Sequence, residues 1–504
     1  MDTRSLSPLA AMVLALGLCS QARLMGEDWA MRGRDASRNA MSPETHAPTD
    51  WAIQPVGGKP GKNIRWSAPL GSVSWGGPVV SHGLVWVGSN NAYPRDPMAT
   101  QDAGVLMCFR EQDGKFLYQY VCPRHEAGKR YDWEYSPICS SPLVIDDRLW
   151  FCTNRAEVVC LDIAPLITGT GSAEVLWKLD MMRELGVRPS TVMIGNDATH
   201  CSPAAYRNYL YVNTTNGKWY DGKVSAPNAP SLVCLDQETG RVVWEDHSPG
   251  YNILHIQQGS PLVVEIGGQG QVIMGQGDGW LRSFDALTGQ LLWKFDINYK
   301  ASRDKTYPQK AERWRTFFLA IPVYYNGRIY AAPGEDAEHG AGPGRLVCLD
   351  PTRRGDISSE LDDGAGGGKP NPNSGLVWEY LGKGTEAMHL TMSSVAIHHA
   401  LLIAPDYEGL VHCLNPTTGE HYWSHDTKGH IHGSPLIVDG KVYVGNEEGE
   451  VHILPLSREK HAAVEVDVDW PIGPGMVFAN GVLYMMTNEG LFAIQEPADA
   501  GKSP

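Results

Sequence analysis

The chain has 504 residues, a formal net charge of −15 and a hydrophobic fraction of 42%. This length suits several ordinary domains or one large repeat domain, and the apolar content is sufficient for a sizeable core. The excess of negative charge disfavours nucleic acids and anionic membrane surfaces as partners. We therefore expect no nucleic-acid binding.

The first residues have the pattern of a cleaved export signal. Arg4 precedes an apolar run, Leu9–Leu18, that is too short to span a bilayer. Small residues lie before a cleavage point after Ala22. Lipid attachment at Cys19 stays open as an alternative, although the preceding leucine is a poor match to such a signal. The pattern predicts a periplasmic or secreted protein without an integral membrane segment.

One motif recurs along the chain: Asp or Asn, then Thr-Gly, then Trp. It appears as "CLDQETGRVVWE", "SFDALTGQLLWK" and "CLNPTTGEHYWS". With its degenerate copies it marks eight units, the shortest of about 40 residues. Each unit opens with a short apolar strand, a tight turn and a second strand rich in β-branched and aromatic residues. Four antiparallel strands per unit, without helical periodicity, predict an all-β, eight-bladed β-propeller.

The recurring tryptophan is predicted to be architectural. It falls at one place on the outermost strand of each unit, where a side chain that buries roughly 150–250 Å² can fill the wedge between blades. The residues assigned to this docking role are Trp66, Trp177, Trp244, Trp293, Trp378 and Trp423.

The two ends of the repeat predict how the ring closes. The last unit stops after "LFAIQEP" and lacks a fourth strand, whereas Asn63–Leu70 resembles a fourth strand without a blade before it. Pairing the two removes an open sheet edge. The predicted organisation is a signal peptide at 1–22, an N-terminal extension at 23–61, the propeller at 62–497 and a disordered tail at 498–504.

The motif resembles the tryptophan-docking repeat of the quinoprotein-like (PQQ-repeat) propellers, most closely in Val233–Trp244 and Ser283–Trp293. The leader Asp28–Pro43 is similar to the Trp-Arg-Gly openings of secreted bacterial members. The resemblance covers residues 62–497 and implies one of two functions. Some members are dehydrogenases that hold pyrroloquinoline quinone (PQQ) and Ca²⁺ at the propeller mouth, and others are non-catalytic propellers such as the assembly lipoprotein BamB.

Two absences bear on this choice. Alcohol-oxidising members carry two adjacent cysteines over the quinone, and this sequence has no Cys-Cys dipeptide, although sugar-oxidising members lack it as well. The sequence also has no CxxCH haem site, so a dehydrogenase would need an external electron acceptor. The sequence therefore favours a non-catalytic binding or scaffold protein, with no cofactor predicted and no catalytic residue assigned. A PQQ- and calcium-dependent dehydrogenase is the alternative.

The loops place the predicted binding site on one face. Most long insertions fall between the fourth and first strands or between the second and third strands, which share the top face; Pro351–Gly375 is assigned to the bottom. Variable loops on a rigid scaffold commonly carry function. We therefore expect a monomer that presents its top face to a protein or a small-molecule ligand.

Residues directly before each innermost strand should line the mouth of the central channel. Their imidazoles, amides and aromatic rings suit a planar ligand or an anion, and a hydrated channel of mutually bonded side chains is the alternative. The candidate ligand-binding residues are Trp75, Cys139, His200, Gln257, Gln258, Arg315, Thr391, His430 and His432.

No metal site is predicted. His425, His430 and His432 are close in sequence, but strand spacing puts alternate residues on one face without creating a tetrahedral set. The loop Pro333–Gly344 carries Glu335, Asp336, Glu338 and His339, and a solvated acidic loop is favoured there over a Ca²⁺ site. The cysteines Cys160, Cys234, Cys348 and Cys413 share one strand position, which is typical of small buried residues.

Overall fold

The computed structural model describes residues 27–53, 61–125, 134–189, 200–218, 222–300, 315–334, 342–488 and 490–496. Eight four-stranded antiparallel blades form a ring, which confirms the predicted eight-bladed β-propeller. The predicted signal peptide and C-terminal tail lie outside the described residues, as does the acidic part of the 333–344 loop. Within the described residues, no helix combines the length and the apolar character needed to cross a membrane.

The blades follow one another in chain order, and their strands are given from the channel outward. The first blade contains Val79–Ser81, Leu84–Asn90, Ala103–Arg110 and Phe116–Pro123. The second contains Leu143–Ile145, Arg148–Cys152, Glu157–Asp162 and Glu174–Asp180. The third contains Ala204–Tyr206, Tyr209–Asn213, Leu232–Asp236 and Val242–Asp246. The fourth contains Leu262–Ile266, Gln269–Gly275, Trp280–Asp285 and Leu291–Asp296.

The second half of the ring repeats this plan. The fifth blade contains Val323–Tyr325, Arg328–Ala331, Leu346–Leu349 and Leu376–Tyr380. The sixth contains Ala396–His398, Leu401–Pro405, Leu410–Leu414 and His421–Asp426. The seventh contains Leu436–Val438, Lys441–Gly445, Glu450–Pro455 and Val464–Asp467. The eighth contains Val477–Ala479, Val482–Met486, Gly490–Ile494 and, from the front of the chain, Ile64–Pro69.

The remaining described elements are short. Two four-residue helices, Ala164–Ile167 and Met181–Glu184, flank the outer strand of the second blade. The other strands are Met41–Ser42, Gly355–Asp356, Glu360–Asp362 and Gly368–Pro370, and two 3₁₀ turns cover Gly250–Asn252 and Gly384–Glu386.

The N-terminal strand closes the ring as predicted. Ile64–Pro69 pairs antiparallel with Gly490–Ile494 and so becomes the outer strand of the eighth blade. Trp66 and Ala68 on this strand are buried in the largest hydrophobic cluster, which joins the eighth blade to its neighbours. The closing strand therefore covers the edge of Gly490–Ile494 and gives the last blade the same four strands as the others.

The recurring Asp and Thr hold the turn before the fourth strand. In the third blade, Asp236 Oδ1 accepts hydrogen bonds from the backbone N–H of Thr239 at 2.9 Å and from its hydroxyl at 2.7 Å. Gly240 follows with a φ of 68°, a left-handed conformation that glycine adopts without steric cost. Asp285 and Thr288 make the same contacts in the fourth blade.

Most tryptophans assigned to docking contact the next blade through the same turn. Five donate the indole N–H to a backbone carbonyl of that blade at 2.8–3.0 Å: Trp66 to Glu111, Trp177 to Gln237, Trp244 to Ala286, Trp378 to Pro416 and Trp423 to Ser457. The turn glycine lies against the ring, so that a Cβ on Gly289 would come within 2.7 Å of Trp244. The Thr-Gly-Trp spacing thus supplies both halves of an interblade contact.

Trp293 departs from this pattern. Its indole N–H donates to Oε1 of Gln271 in its own blade at 3.1 Å. The insertion 351–375 explains the difference, because Gly355–Asp356 pairs in parallel with Trp293 and Lys294 on their outer side. This insertion leaves the bottom face, climbs beside the fourth blade and reaches Asp296 near the top, where Ser358 Oγ accepts from the Asp296 N–H. The insertion therefore begins and ends in the bottom turn to which it was assigned, with Asp350 N–H donating to the carbonyl of Gly375, but its middle part follows the edge of the outer strand upward.

Residues 27–53, hereafter the N-terminal segment, run across the bottom of the ring. At the first blade, Asp28 Oδ2 accepts from the backbone N–H of His82, in the turn between the first and second strands. Trp29 then pairs with Val80, and the carbonyl of Ala30 accepts from Val144 of the second blade. These partners lie on the innermost strands, so the segment turns inward from the rim.

The middle of the segment crosses the channel. The Arg38 guanidinium, 2% exposed, donates to the carbonyls of Ser202, Pro203 and Pro261 in the third and fourth blades. The Asn39 side chain exchanges two hydrogen bonds with the backbone of Ile397 in the sixth blade.

The segment then follows the last two blades. Met41–Ser42 adds a parallel strand to the inner edge of the seventh blade. Glu44 accepts from the N–H groups of Asn480 and Gly481 in the bottom turn of the eighth blade. With the bond from Tyr324 to Ser37 in the fifth blade, the segment contacts all eight blades and closes the channel from below.

Candidate ligand-binding mouth at the top face

A ring of serines narrows the channel just above its innermost strands. In four places a serine hydroxyl accepts the backbone N–H of the equivalent residue in the preceding blade: Ser141 to Ser202, Ser202 to Ser260, Ile321 to Ser394 and Ser394 to Ser434. We call Ser141, Ser202, Ser260, Ser394 and Ser434 the serine collar. The candidate mouth residues precede the innermost strands by a few positions, so the collar forms the floor beneath them.

Three rings and a carboxylate meet above the collar at the sixth and seventh blades. The imidazole of His430 stacks on Tyr407 with a centroid distance of 4.4 Å and an interplanar angle of 6°. His432 lies edge-on to the same tyrosine at 5.4 Å. The carboxylate of Glu447 lies 3.1 Å from Nε2 of His432 and 3.8 Å from Nε2 of His430.

Trp75 of the first blade completes this group, which we call the mouth cluster: Trp75, Tyr407, His430, His432 and Glu447. The Trp75 ring lies 5.7 Å from that of His432, and Trp75 is 42% exposed. Nδ1 of His432 is buried and has no hydrogen-bond partner among the described residues. Buried polar atoms are nearly always bonded, so this nitrogen is a natural contact for a water or a ligand.

Three of the predicted mouth residues are buried and hold the backbone. Gln257 donates to the carbonyl of Asn216 and to the hydroxyl of Ser231, at 2.6 and 3.1 Å. Thr391 donates to the carbonyl of Pro405 at 2.9 Å. Cys139 is also buried, with its thiol directed to the carbonyl of Pro137. These side chains therefore shape the loops of the mouth.

His200, Gln258 and Arg315 are partly buried. Arg315 donates to the carbonyl of Asp278 at 3.1 Å, next to a buried ion pair in which Arg282 binds the Asp278 carboxylate. This contact places Arg315 at the fourth blade, whereas the mouth cluster lies at the sixth, seventh and first blades. The predicted set thus divides into the group around His430 and His432 and scattered loop residues.

His425 lies apart from the two histidines that follow it in sequence. Its Nε2 is 3.1 Å from Nδ1 of His452 in the seventh blade. Burial lowers the pKa of His425, and neighbouring His452 lowers it further. In the part of the chain that the structure describes, no three His, Cys, Asp or Glu side chains converge as metal ligands.

A buried network runs outward through the sixth blade from its top loop. Asp406 Oδ2 lies 2.9 Å from His389 Nδ1 and 3.3 Å from His412 Nε2, and His412 Nδ1 lies 3.0 Å from Ser424 Oγ. Burial raises the pKa of Asp406, but the bonds from His412 and His389 outweigh it, so that the pKa is below its usual value. Asp406 and His412 are fully buried, which indicates a structural role.

The described residues around the mouth cluster do not supply a ligand set for calcium. Ca²⁺ takes six to eight oxygen ligands, several of them carboxylate. Among the described residues near the mouth cluster, Glu447 is engaged by two imidazoles, and Asp406 is committed to two histidines and to the N–H groups of His389 and Leu410. Asp197, which lies a few positions before the innermost strand of the third blade in sequence, is outside the described residues.

Sequence reasoning missed Tyr407 and Glu447 because both lie in loops between second and third strands, whereas the candidate positions directly precede the innermost strands. It also missed Arg32 and Arg38, which the N-terminal segment brings into the channel. The available signal was the "WAMRGRDASRNA" leader, with three arginines and one asparagine in a stretch outside the repeat.

A comparison with family models gives one match. The model described as outer membrane protein assembly factor BamB matches residues 144–357 and 344–464, which is more than half of the chain.

Curated relatives include enzymes. Quinohemoprotein alcohol dehydrogenase ADH IIB of Pseudomonas putida is 26% identical over 163 residues, 31% of this chain and only 20% of that protein's length. Tetrathionate hydrolase of Acidithiobacillus ferrooxidans is 19% identical over 442 residues, 81% of this chain and 70% of the hydrolase.

Solved structures with a similar fold include both kinds of propeller. BamB from Moraxella catarrhalis superposes with a TM-score of 0.52 and 13% identity, covering 87% of this chain and 98% of that one. Quinohemoprotein alcohol dehydrogenase from Comamonas testosteroni gives a TM-score of 0.58 and 12% identity, covering 95% of this chain and 82% of that one. At these identities, the likeness shows the fold alone.

Proposed function

The chain belongs to the PQQ-repeat propeller family that the BamB model describes, and from this premise we propose that it is a non-catalytic binding or scaffold protein. It acts through the top face, and the mouth cluster is its contact surface. One observation carries the proposal: an exposed tryptophan and an unbonded imidazole nitrogen lie together above a channel that is closed from below. A ligand or partner therefore approaches from the top.

The chemistry of the cluster defines what it can hold. Trp75 offers a large apolar ring with a polar N–H, a combination enriched at protein interfaces. Glu447 and the two imidazoles add hydrogen-bonding groups at fixed positions, because the stacked Tyr407 restrains the His430 ring. Such a surface suits a protein segment or a small molecule with an aromatic or cationic group.

Photo-crosslinking tests this assignment. p-Benzoylphenylalanine is placed either at Trp75, which is 42% exposed, or at Leu287, which is 40% exposed in a bottom turn. In cells that naturally produce the protein, we expect adducts from position 75 and none from position 287. Native mass spectrometry of the purified protein detects a small ligand, which His430→Ala should release.

Equal labelling from both positions contradicts the top-face assignment. So does the combination of no adduct at position 75 with no bound small molecule. Melting temperatures of both variants serve as a control for folding.

Export is part of the same proposal. Residues 1–22 have the composition of a cleaved signal, and the relatives include outer-membrane assembly propellers and quinone-linked dehydrogenases. N-terminal sequencing of the exported protein should begin near Arg23. Lipid on Cys19 would replace the cleaved signal by a membrane anchor.

The second candidate is a PQQ- and calcium-dependent dehydrogenase, favoured by the local match to alcohol dehydrogenases. When bound, PQQ would supply a two-electron acceptor for alcohol or sugar oxidation, and Trp75, Arg315 and His200 would be the residues to bind it. The carboxylates described near the mouth cluster, Glu447 and Asp406, are engaged by histidines, which argues against calcium binding and so against this function. In an absorbance and calorimetric titration with PQQ and Ca²⁺, we expect weak or no binding; micromolar binding that is lost in Arg315→Ala or His200→Ala would establish the dehydrogenase instead.

A further inference from the structure

Arg32 lies in the central channel without a partner. Its guanidinium makes no hydrogen bond and no ion pair with any described residue. Both neighbouring arginines of the N-terminal segment have charged or carbonyl partners: Arg34 pairs with Glu27 and Asp35, and Arg38 binds backbone carbonyls. Of the two arginines that line the channel cavity, Arg32 and Arg38, only Arg32 has no partner among the described residues.

No described carboxylate neutralises this charge. Arg38 lies close enough to Arg32 for the two charges to repel, and burial lowers the pKa of both, that of Arg38 to about 10. Asp35 is the one carboxylate among the groups that influence Arg38, and it already accepts from Arg34 and Ser37. Arg38 is buried and Arg32 is partly buried. Two neighbouring cations with one committed carboxylate make this part of the channel electropositive, which favours the binding of an anion.

The cavity beside Arg32 has the size and the donors for a small anion. Its volume is about 40 Å³, enough for roughly three water-sized groups. Ser394 and Ser434 of the serine collar line it. Each of these hydroxyls accepts a backbone N–H and donates to no described residue, so each retains its one hydroxyl hydrogen for another acceptor.

The geometry points to an anion site in the channel, in which Arg32 and the hydroxyls of Ser394 and Ser434 bind one compact anion. Chloride or the head of an oxyanion fits the space, whether as a free ion or as the carboxylate end of a larger molecule. The anion enters from the top, because the N-terminal segment closes the bottom. The site lies on the channel floor and uses no residue of the mouth cluster. The anion-site proposal therefore does not depend on the proposed function.

Thermal unfolding of the full mature chain tests the site. Chloride, phosphate and acetate are each titrated at constant ionic strength, with a bulky sulfonate buffer ion as the balancing anion. For the wild type we expect a saturable rise in Tm of at least about 1 °C with a compact anion. A response limited to chloride or phosphate indicates a free inorganic ion, and an equal response to acetate indicates a carboxylate group; both support the site.

The variants make the assignment specific. Arg32→Gln should lose the anion response and should melt no lower than the wild type in the bulky-anion buffer, because it removes an unpaired charge. Arg34→Gln removes the same charge from the same segment and should keep the response, as should Arg32→Lys in weaker form. Broadening of the ³⁵Cl resonance by the wild type, abolished in Arg32→Gln, gives a readout independent of stability.

Two results would overturn the proposal. One is an anion response in Arg32→Gln equal to that of the wild type. The other is an equal rise in Tm with the bulky anion, which would show general screening of charge.

Discussion

The rim and the centre of the ring are joined in different ways. At the rim, one contact recurs: a tryptophan of one blade lies on the turn glycine of the next and donates to a carbonyl there, as Trp177 does on Gly240 and Trp378 does on Gly419. At the centre, one N-terminal segment makes a different contact in each blade. One of the repeated tryptophan–glycine contacts can be lost without affecting the others, whereas the N-terminal segment links all eight blades at once.

The largest expected effect comes from removing the whole N-terminal segment with the closing strand. Deleting residues 27–70 removes the outer strand of the eighth blade, including buried Trp66, and every contact that closes the channel. We expect a loss of more than about 5 kcal/mol, since burial of one tryptophan alone accounts for roughly 3–5 kcal/mol.

Deleting 27–53 alone separates the two contributions, because the closing strand remains. Circular dichroism melts of both truncated chains and the full chain measure the difference. An unchanged Tm in either truncated chain would mean that the N-terminal segment does not stabilise the propeller.

The next effect concerns the rim. Trp244→Ala should destabilise the protein by roughly 3–5 kcal/mol through lost packing and a cavity. Its ring also lies 6.1 Å from the ring of Phe284 in the next blade. The substitution therefore removes the contact between the third and fourth blades and leaves the other interblade contacts in place. Ligand binding at the mouth cluster should change little. A variant of normal stability that fails to bind would show that the rim tryptophan is functional.

Arg38 provides the corresponding test at the centre. Arg38→Ala leaves buried carbonyls of Ser202, Pro203 and Pro261 without their donor, and we expect a loss of about 3 kcal/mol. Arg34→Ala removes ion pairs with the half-exposed carboxylates of Glu27 and Asp35 and should cost less than about 1 kcal/mol. Urea unfolding of the two variants gives both values, and equal losses would mean that the buried bonds add nothing.

The same contrast explains what could be predicted from the sequence. The eight blades and the closing strand were predictable because a pattern such as Asp236, Thr239, Gly240 and Trp244 recurs along the chain. Each copy supports the assignment of the others. The departure of Trp293 was not, because it depends on Gly355–Asp356 pairing beside it. The path of the N-terminal segment was not predictable either, since no period runs through residues 27–53 and its partners are spread over the chain.

Sequence position predicted which residues border the mouth of the channel, but not the direction in which their side chains point. Position before an innermost strand places a residue at the channel, but it does not decide whether the side chain faces the ligand or bonds the backbone. His430 and His432 meet at Glu447, whereas Gln257 and Thr391 turn to nearby carbonyls. The orientation depends on partners in other loops, which come together only when the ring is closed.

The smallest expected effect separates backbone conformation from docking within the rim. Gly289→Ala puts a Cβ 2.7 Å from the Trp244 ring at a φ of 71°, whereas Gly327→Ala puts one in open space at a φ of 75°. Both substitutions strain a left-handed backbone by roughly 1 kcal/mol, and the steric clash should add roughly 1–2 kcal/mol only in Gly289→Ala. Denaturant melts of the two variants measure this difference directly. Equal losses would mean that the turn glycine is required for its conformation alone, and that the tryptophan does not need the close approach that the repeat provides.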